Sequence, residues 1–205
     1  MSVTGERPEA PATSERRREV LRAVSDLIAR HGIDGMSMRQ VADAVGMSTG
    51  TINYHFKNKR GLIMAAMDHV YSAPQDWSRY ENLGQLEQLR IRAGIFVLRS
   101  ESRQRWGRFW IEYAAHAGRD GELLESHKER HQRRRDVFAQ TIADGQKTGE
   151  VRRDIDPVGA AETLLAVIDG VTTQQIAFGL SPERAEAILS GFISHLGAHS
   201  AYPFD

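Results

Sequence analysis

Between Gly35 and Leu62 the chain reads GMSMRQVADAVGMSTGTINYHFKNKRGL, and two short helices set across a tight turn satisfy that string. Ser37, with Gln40 three residues on, makes a capping box in which each side chain bonds a backbone N–H that a helix start would leave orphaned. Val41, Ala42 and Val45 give the following helix one apolar side, and Ala42 is small enough to let another helix come close. Gly46 stops that helix, because glycine takes left-handed backbone without strain. Ser48 caps the next one. There Ile52 and Phe56, one turn apart, face inward and leave Thr49, Gly50, Thr51, Asn53 and Tyr54 largely outward. This is the pattern of a helix-turn-helix.

The remainder continues in helical period. Apolar residues recur at that spacing in Val20, Val24, Leu27 and His31, in Leu86, Leu89, Ala93, Phe96 and Val97, and again from Leu164 to Leu180 and from Ala185 to Leu196. Alternating strand patterns are nearly absent, so the fold is expected to be all-α, with about nine helices and no sheet. Three short helices are expected between Ser14 and Phe56, and longer ones after them. Asp156-Pro157 and Ser181-Pro182 each place a capping side chain before a proline at the first helical position, where its missing N–H costs nothing. Pro74 likewise marks a helix boundary, and Pro8, Pro11 and Pro203 lie towards the two ends. The expected organisation is a flexible tail over 1–13, an N-terminal three-helix bundle with the helix-turn-helix over 14–60, a larger helical domain over 61–199, and a tail over 200–205.

The absence of cysteine excludes a disulfide scaffold, Cys-ligated zinc, iron–sulfur clusters and thiol chemistry; no cofactor is expected, and a reducing cytoplasm is the expected setting. No apolar run approaches the roughly 18 residues that span a bilayer, so no membrane partner is expected. Net charge is zero over 205 residues, with 27 Lys and Arg against 27 Asp and Glu, but it is unevenly spread. From Ser14 to Gly61 nine basic residues face five acidic ones, a basic head on a mildly acidic remainder.

The string from Met38 to Leu62 resembles the DNA-binding signature of the TetR family of transcriptional repressors. Val41-Ala42 falls on the first motif helix, Gly46-Met47-Ser48 at the turn, and Thr49 to Phe56 on the recognition helix, ending in Tyr54-His55-Phe56 and Lys57-Asn58-Lys59. Asn53 departs from the pattern, since many members carry tyrosine there. Ser-Thr-Gly at 48–50 is more similar to the BetI-like branch of choline-responsive repressors. The resemblance implies a helix-turn-helix head, a larger domain for effector binding and dimerisation, and a homodimer that binds a palindromic double-stranded operator and releases it on binding a small-molecule effector.

The residues support the same reading chemically. A helix N-terminus carries free N–H groups and about half a positive charge, so Ser48, Thr49 and Gly50 can approach a phosphate or base edge. Asn53 can pair with adenine through two hydrogen bonds, and Thr49 or Thr51 can touch a thymine methyl. Tyr54, His55, Lys57 and Lys59 suit phosphates, as does Arg39 at the start of the preceding helix. Packing against the first helix is the competing role for Tyr54 and His55, and simple solvation for Asn53. The run Arg16-Arg17-Arg18 is open between phosphate contact and a solvated face.

A single module of this charge binds DNA poorly, and two-fold dimers place recognition helices about 34–36 Å apart in successive major grooves. Between Asp156 and Gly179, small residues including Gly159, Ala160, Ala161, Ala166, Gly170 and Ala177 interleave with Leu164, Leu165, Ile168 and Val171. The next helix adds Ile188, Leu189, Phe192, Ile193 and Leu196. Helices apolar on more than one face are central to their own domain or shared with a partner. The resemblance favours the second, a bundle of the last two helices of each subunit, with Leu164, Ile168, Val171, Ile188, Leu189, Phe192 and Leu196 at the interface.

Effector sensing is expected between Ser72 and Gly149. Trp106, Phe109, Trp110 and Tyr113 share one helical face, and Phe96, Leu98, Phe138 and Ile142 are candidates to wall the same space. Such a cluster lines a pocket or fills a core. If the choline-like resemblance extends this far, Trp106, Trp110 and Tyr113 would cradle a quaternary ammonium at roughly 0.5–2 kcal/mol per ring, with Glu112 as counter-charge or as a surface acid. His127 and His131, one turn apart, lack a third ligand among adjacent bases, so no metal site is expected. Arg133-Arg134-Arg135 beside Glu125, Glu129 and Asp136 reads as a salt-bridged solvent face. A helical enzyme is the competing class, but no nucleophile motif, metal triad or phosphate loop is present. A protein-binding adaptor without DNA binding is the other alternative.

Overall fold

A computed structural model of the chain describes residues 11–71 and 77–198; Pro8, Pro74 and Pro203 lie outside them. Among the described residues there are nine α-helices, one short 3-10 turn at Trp77–Tyr80 and no strand. The chain divides into two compact units, Met1–Ala73 and Pro74–Asp205.

The first unit holds α1 (Pro11–Gly35), α2 (Met38–Val45), α3 (Thr49–Phe56) and α4 (Lys59–Tyr71). The first helix is long rather than short, and it begins inside the stretch the sequence assigns to a tail, since a proline in the first turn of a helix loses no hydrogen bond. It is broken at Gly32, whose φ of 71° and ψ of 170° only glycine adopts readily, so the chain turns there before Ile33 and Met36 enter the core. The buried stripe of α1 is Val20, Leu21, Val24 and Ile28; Leu27 is half-buried and His31 exposed, one register away from the expected face. Because α4 packs on α1 and α3, it belongs to the head, where the sequence boundary at 60 assigns it to the larger domain.

The second unit holds α5 (Gln85–Gly94), α6 (Glu101–Ala117), α7 (Gly121–Thr148), α8 (Pro157–Ala177) and α9 (Pro182–His195). Asp156 and Ser181 cap α8 and α9 ahead of their prolines, as their positions predict. The core lies among α5, α7, α8 and α9, around Leu89, Phe96, Phe138, Ile142, Leu164 and Ile168. Beyond α9, Arg152 N donates to Leu196 O at 3.0 Å and Ala198 N to Glu150 O at 2.9 Å, so one antiparallel bridge between Val151 and Gly197 ties the α7–α8 link to the chain beyond α9.

Five residues expected at a subunit interface are instead core: Leu164, Ile168, Val171, Leu189 and Leu196 are all buried within the unit, while Ile188 is exposed and Phe192 half-buried. The cause is geometric. In α8 and α9 the largest apolar side chains turn towards α5 and α7, and small residues are left outward. Thr163, Ala166, Gly170, Thr173 and Ala177 are exposed along α8, alternating three and four residues apart, with Ala187, Ile188 and half-buried Gly191 along α9. A Cβ added at Gly170 or Gly191 would meet nothing within 4 Å.

Candidate nucleic-acid interface and effector-binding interior

The helix-turn-helix is fixed by local bonds. Gln40 N donates to Ser37 Oγ at 3.2 Å and Ser37 N to Gln40 Oε1 at 2.8 Å, closing the capping box. At the other end of α2, Gly46 has φ 64° and ψ 35°; Met47 N reaches Ala42 O at 2.9 Å and Gly46 N reaches Asp43 O at 3.4 Å, the paired bonds of a Schellman stop. Ser48 Oγ then accepts from Thr51 N at 3.1 Å and lies 2.8 Å from Thr51 Oγ1. That cap leaves the first N–H groups of α3, those of Thr49 and Gly50, with no acceptor inside the helix.

Ile52 and Phe56 anchor α3 to the core, and the opposite side is bare. Thr49, Gly50, Asn53, His55 and Lys57 are exposed, and Tyr54 is 84% exposed, so it does not pack on α1. Thr51 is half-buried, with its hydroxyl committed to Ser48. Arg39 is exposed and shares only a 3.8 Å surface pair with Asp43, which exchanges readily for a phosphate. Lys59 differs from expectation: it is half-buried and its Nζ reaches back to Asp34 O at 3.5 Å, at the corner between α1 and α2. Arg16 pairs with Glu19 at 2.6 Å, and the Arg17 guanidinium stacks over the Phe56 ring at 4.8 Å, so part of the basic run holds α1 to the end of α3.

The turn after α3 is tighter than the sequence indicates. Lys57 has φ 65° and ψ −56°, and Asn58 N donates to Phe56 O at 2.8 Å, a γ-turn of the strained, positive-φ hand. Asn58 then caps α4, accepting from Gly61 N through Oδ1 at 2.9 Å. A Cβ at Gly61 would overlap the Phe56 carbonyl oxygen. Gly61 therefore sets how closely α4 approaches the recognition helix.

In the second unit Phe96 and Phe138 lie in the core of α5, α7, α8 and α9 with Trp106 packed against it, while Phe109 and Tyr113 meet ring to ring along α6. Phe109 and Tyr113 are fully buried, Phe96, Trp110 and Phe138 nearly so, and Trp106 half-buried with its ring 5.5 Å from that of Phe96. Glu112 is exposed, a surface acid. Tyr113 donates to Leu123 O at 3.3 Å and accepts from Arg130 Nη1 at 2.9 Å. Arg134, within the run expected to be solvated, turns inward: it pairs with Asp169 at 3.4 Å and lies over the Phe96 ring at 4.7 Å. Burial pushes Asp169 above the ordinary carboxylate range against the pull of Arg134 and His131. Burial, then Arg130, His131 and Arg134, draws His127 below the ordinary histidine range. Among the described residues no group of acids and histidines has the arrangement to hold a metal, and no helix is long and apolar enough to cross a membrane.

His69 on α4 is also held low, by burial and then by Arg22, Arg18 and Arg17. Each depressed histidine takes up its proton more readily in the unfolded chain, so stability that is full above about pH 6.5 declines as pH falls below it. The thermal midpoint is expected to drop between pH 7.5 and about pH 5.5, and His69→Gln and His127→Gln should each flatten the dependence. Parallel pH profiles for wild type and variants would contradict this origin.

Residues 20–66 match the family model of bacterial regulatory proteins of the TetR family, and residues 90–198, more than half the chain, match the C-terminal domain of BetI-type transcriptional repressors. The chain belongs to the TetR family. As a TetR-family protein it is a transcriptional regulator with a DNA-binding helix-turn-helix, not an enzyme. The crystal structure of a protein from a Rhodococcus species, described as a TetR-family regulator, superposes with a TM-score of 0.82 at 27% identity, covering 90% of this chain and 99% of that one. A regulator from Saccharomonospora viridis in complex with choline gives a TM-score of 0.75 at 26% identity, over 89% and 97%. Tetracycline repressor class A from transposon 1721, from Escherichia coli, is 34% identical over 70 residues, which span only 32% of that protein. For this TetR-family repressor, the two matched models fall one in each compact unit.

Proposed function

We propose that this repressor binds a palindromic operator as a homodimer and leaves it when a small molecule occupies the interior between α6, α7 and α8. The bare outer face of α3 carries the reading. An exposed Asn53 and an 84% exposed Tyr54 on a helix anchored only by Ile52 and Phe56 contribute nothing to the core, and a major groove uses both. Thr49 and Gly50 meet the duplex through their N–H groups, Asn53 reads a base, and Arg39, Tyr54, His55 and Lys57 hold phosphates. Lys59, turned to Asp34, supports the head rather than the duplex.

The second copy docks on the outward seam of α8 and α9, around Ala166, Gly170, Thr173, Ala187, Ile188 and Gly191. Mid-helix glycines cost about 1 kcal/mol each relative to alanine, and within one chain Gly170 and Gly191 face open space. Close packing against a partner helix gives them a use. Effector occupancy acts through α4, with a coupling of about 1–3 kcal/mol sufficient for switching.

Selection of duplexes from a random pool, followed by anisotropy at several salt concentrations, tests this. An inverted repeat and a steep salt dependence are expected. The Asn53→Ala, Tyr54→Ala double variant should bind the selected duplex at least ten-fold more weakly, with an unchanged melting midpoint. Unaltered affinity in that variant would remove α3 as the reading helix.

A further inference from the structure

The three consecutive arginines of α1 have different surroundings. Arg16 is spent on Glu19, one turn on, at 2.6 Å. Arg18 and Arg22, with Arg17, make the positive field that reaches His69 on α4. Arg17 meets the recognition helix. It stands one turn before Leu21 and two before Val24, both buried, so its stem leaves α1 along the core-facing stripe. What it meets there is the Phe56 ring, with the guanidinium carbon 4.8 Å from the ring centroid. Phe56 is the last residue of α3 and is 6% exposed, whereas Arg17 is exposed.

A cation over a ring uses its charge and none of its N–H groups. The guanidinium keeps five donors in one plane, in a fork that matches two oxygens of a phosphate. Among the described residues Arg17 makes no ion pair, so no carboxylate competes for that fork. Contact with the ring also restricts a long side chain before any ligand arrives, which lowers the entropy lost on binding. The neighbours suit an anion. Lys57, directly after Phe56, is exposed at the positive-φ turn, and His55 is exposed with its ring 6.4 Å from that of Phe56. The C-terminal end of a reading helix in three-helix heads of this kind runs beside the duplex backbone. The competing use for the charge is to stabilise the C-terminal end of α3. Merely covering the ring needs no charge, since methionine packs on aromatic rings too.

We infer that Arg17 is a further DNA contact, a fork set by the Phe56 ring to hold one backbone phosphate at the end of the recognition helix, beside Lys57. This rests on reading α3 as the helix that enters the groove. In the full-length protein Arg17→Met keeps the stem on Phe56 and removes the charge, and Arg17→Gln gives the same comparison if methionine alters folding. Either variant melts as wild type does, yet binds about ten-fold more weakly to selected and random duplexes alike. The slope of log affinity against log salt falls by about 1 per bound chain. Arg17→Lys keeps the slope. Single phosphates of the selected duplex are then replaced in turn by neutral methylphosphonate. One position in each half-site weakens the wild type and leaves Arg17→Met unchanged. An unaltered salt slope in both neutral variants, the same methylphosphonate profile as wild type, or a loss confined to the selected sequence overturns the inference and leaves Arg17 as a brace for α3. The Asn53→Ala, Tyr54→Ala variant tests the reading helix independently, so failure of that reading is distinct from failure of the Arg17 contact.

Discussion

A Gly61→Val chain is expected to lose operator binding while its second unit stays folded. The new Cβ would stand against the Phe56 carbonyl oxygen, a backbone atom that cannot turn aside. That oxygen also accepts from Asn58 N in the strained turn at Lys57, and Phe56 itself anchors the recognition helix. Relief therefore has to come from moving α4 away from α3. Overpacking of this kind costs about 1–3 kcal/mol and sometimes more, and a dimer carries it twice. Calorimetry should show the first unit melting earlier than in wild type, and anisotropy should show operator affinity reduced by at least a hundred-fold. Wild-type affinity would mean that the α3–α4 corner does not position the reading helix.

Gly170→Leu combined with Gly191→Leu should have opposite effects on the protomer and on the assembly. Neither new side chain begins against any atom of its own chain, and leucine favours helix over glycine by nearly 1 kcal/mol. The isolated protomer should therefore keep its helicity and melt no earlier. Across a closely packed helix seam, however, the added bulk holds the partners apart. Sedimentation should show the dimer shifting to monomer, with operator binding falling in step. A variant that remains dimeric would place the interface elsewhere on the surface.

The two outcomes bear on different parts of what was legible in the sequence. Capping is local, so Ser37, Gln40, Gly46 and Ser48 announced α2, the turn and α3 without knowledge of any distant contact, and Asp156-Pro157 and Ser181-Pro182 did the same for α8 and α9. Which side of a helix faces inward was less legible. On α1 the neighbouring stripes through Val20 and Leu21 are both apolar, and only packing on α2 and α4 selects Leu21 and Ile28 over Leu27. On α8 the side chains with the strongest hydrophobic signal are buried in their own unit, and the exposed seam of Thr163, Ala166, Gly170, Thr173 and Ala177 has almost none.

The features missed altogether depend on contacts between elements. Nothing adjacent to Lys57 requires its positive φ, and nothing near Arg134 in the chain shows that this member of a basic run turns inward to Asp169. The aromatic face of Trp106, Phe109, Trp110 and Tyr113 was visible from helical spacing. The Arg130 guanidinium over its Tyr113 ring was not, because Arg130 and Tyr113 are 17 residues apart and meet only when α6 and α7 pack.

The most direct test compares binding of the full-length protein to a selected operator with binding to its half-site. Two chains should bind the full duplex cooperatively and protect two patches about 34–36 Å apart on one face. The half-site should bind far more weakly, and affinity for both should fall steeply with salt. One chain bound per operator, with equal affinity for the half-site, would contradict the account.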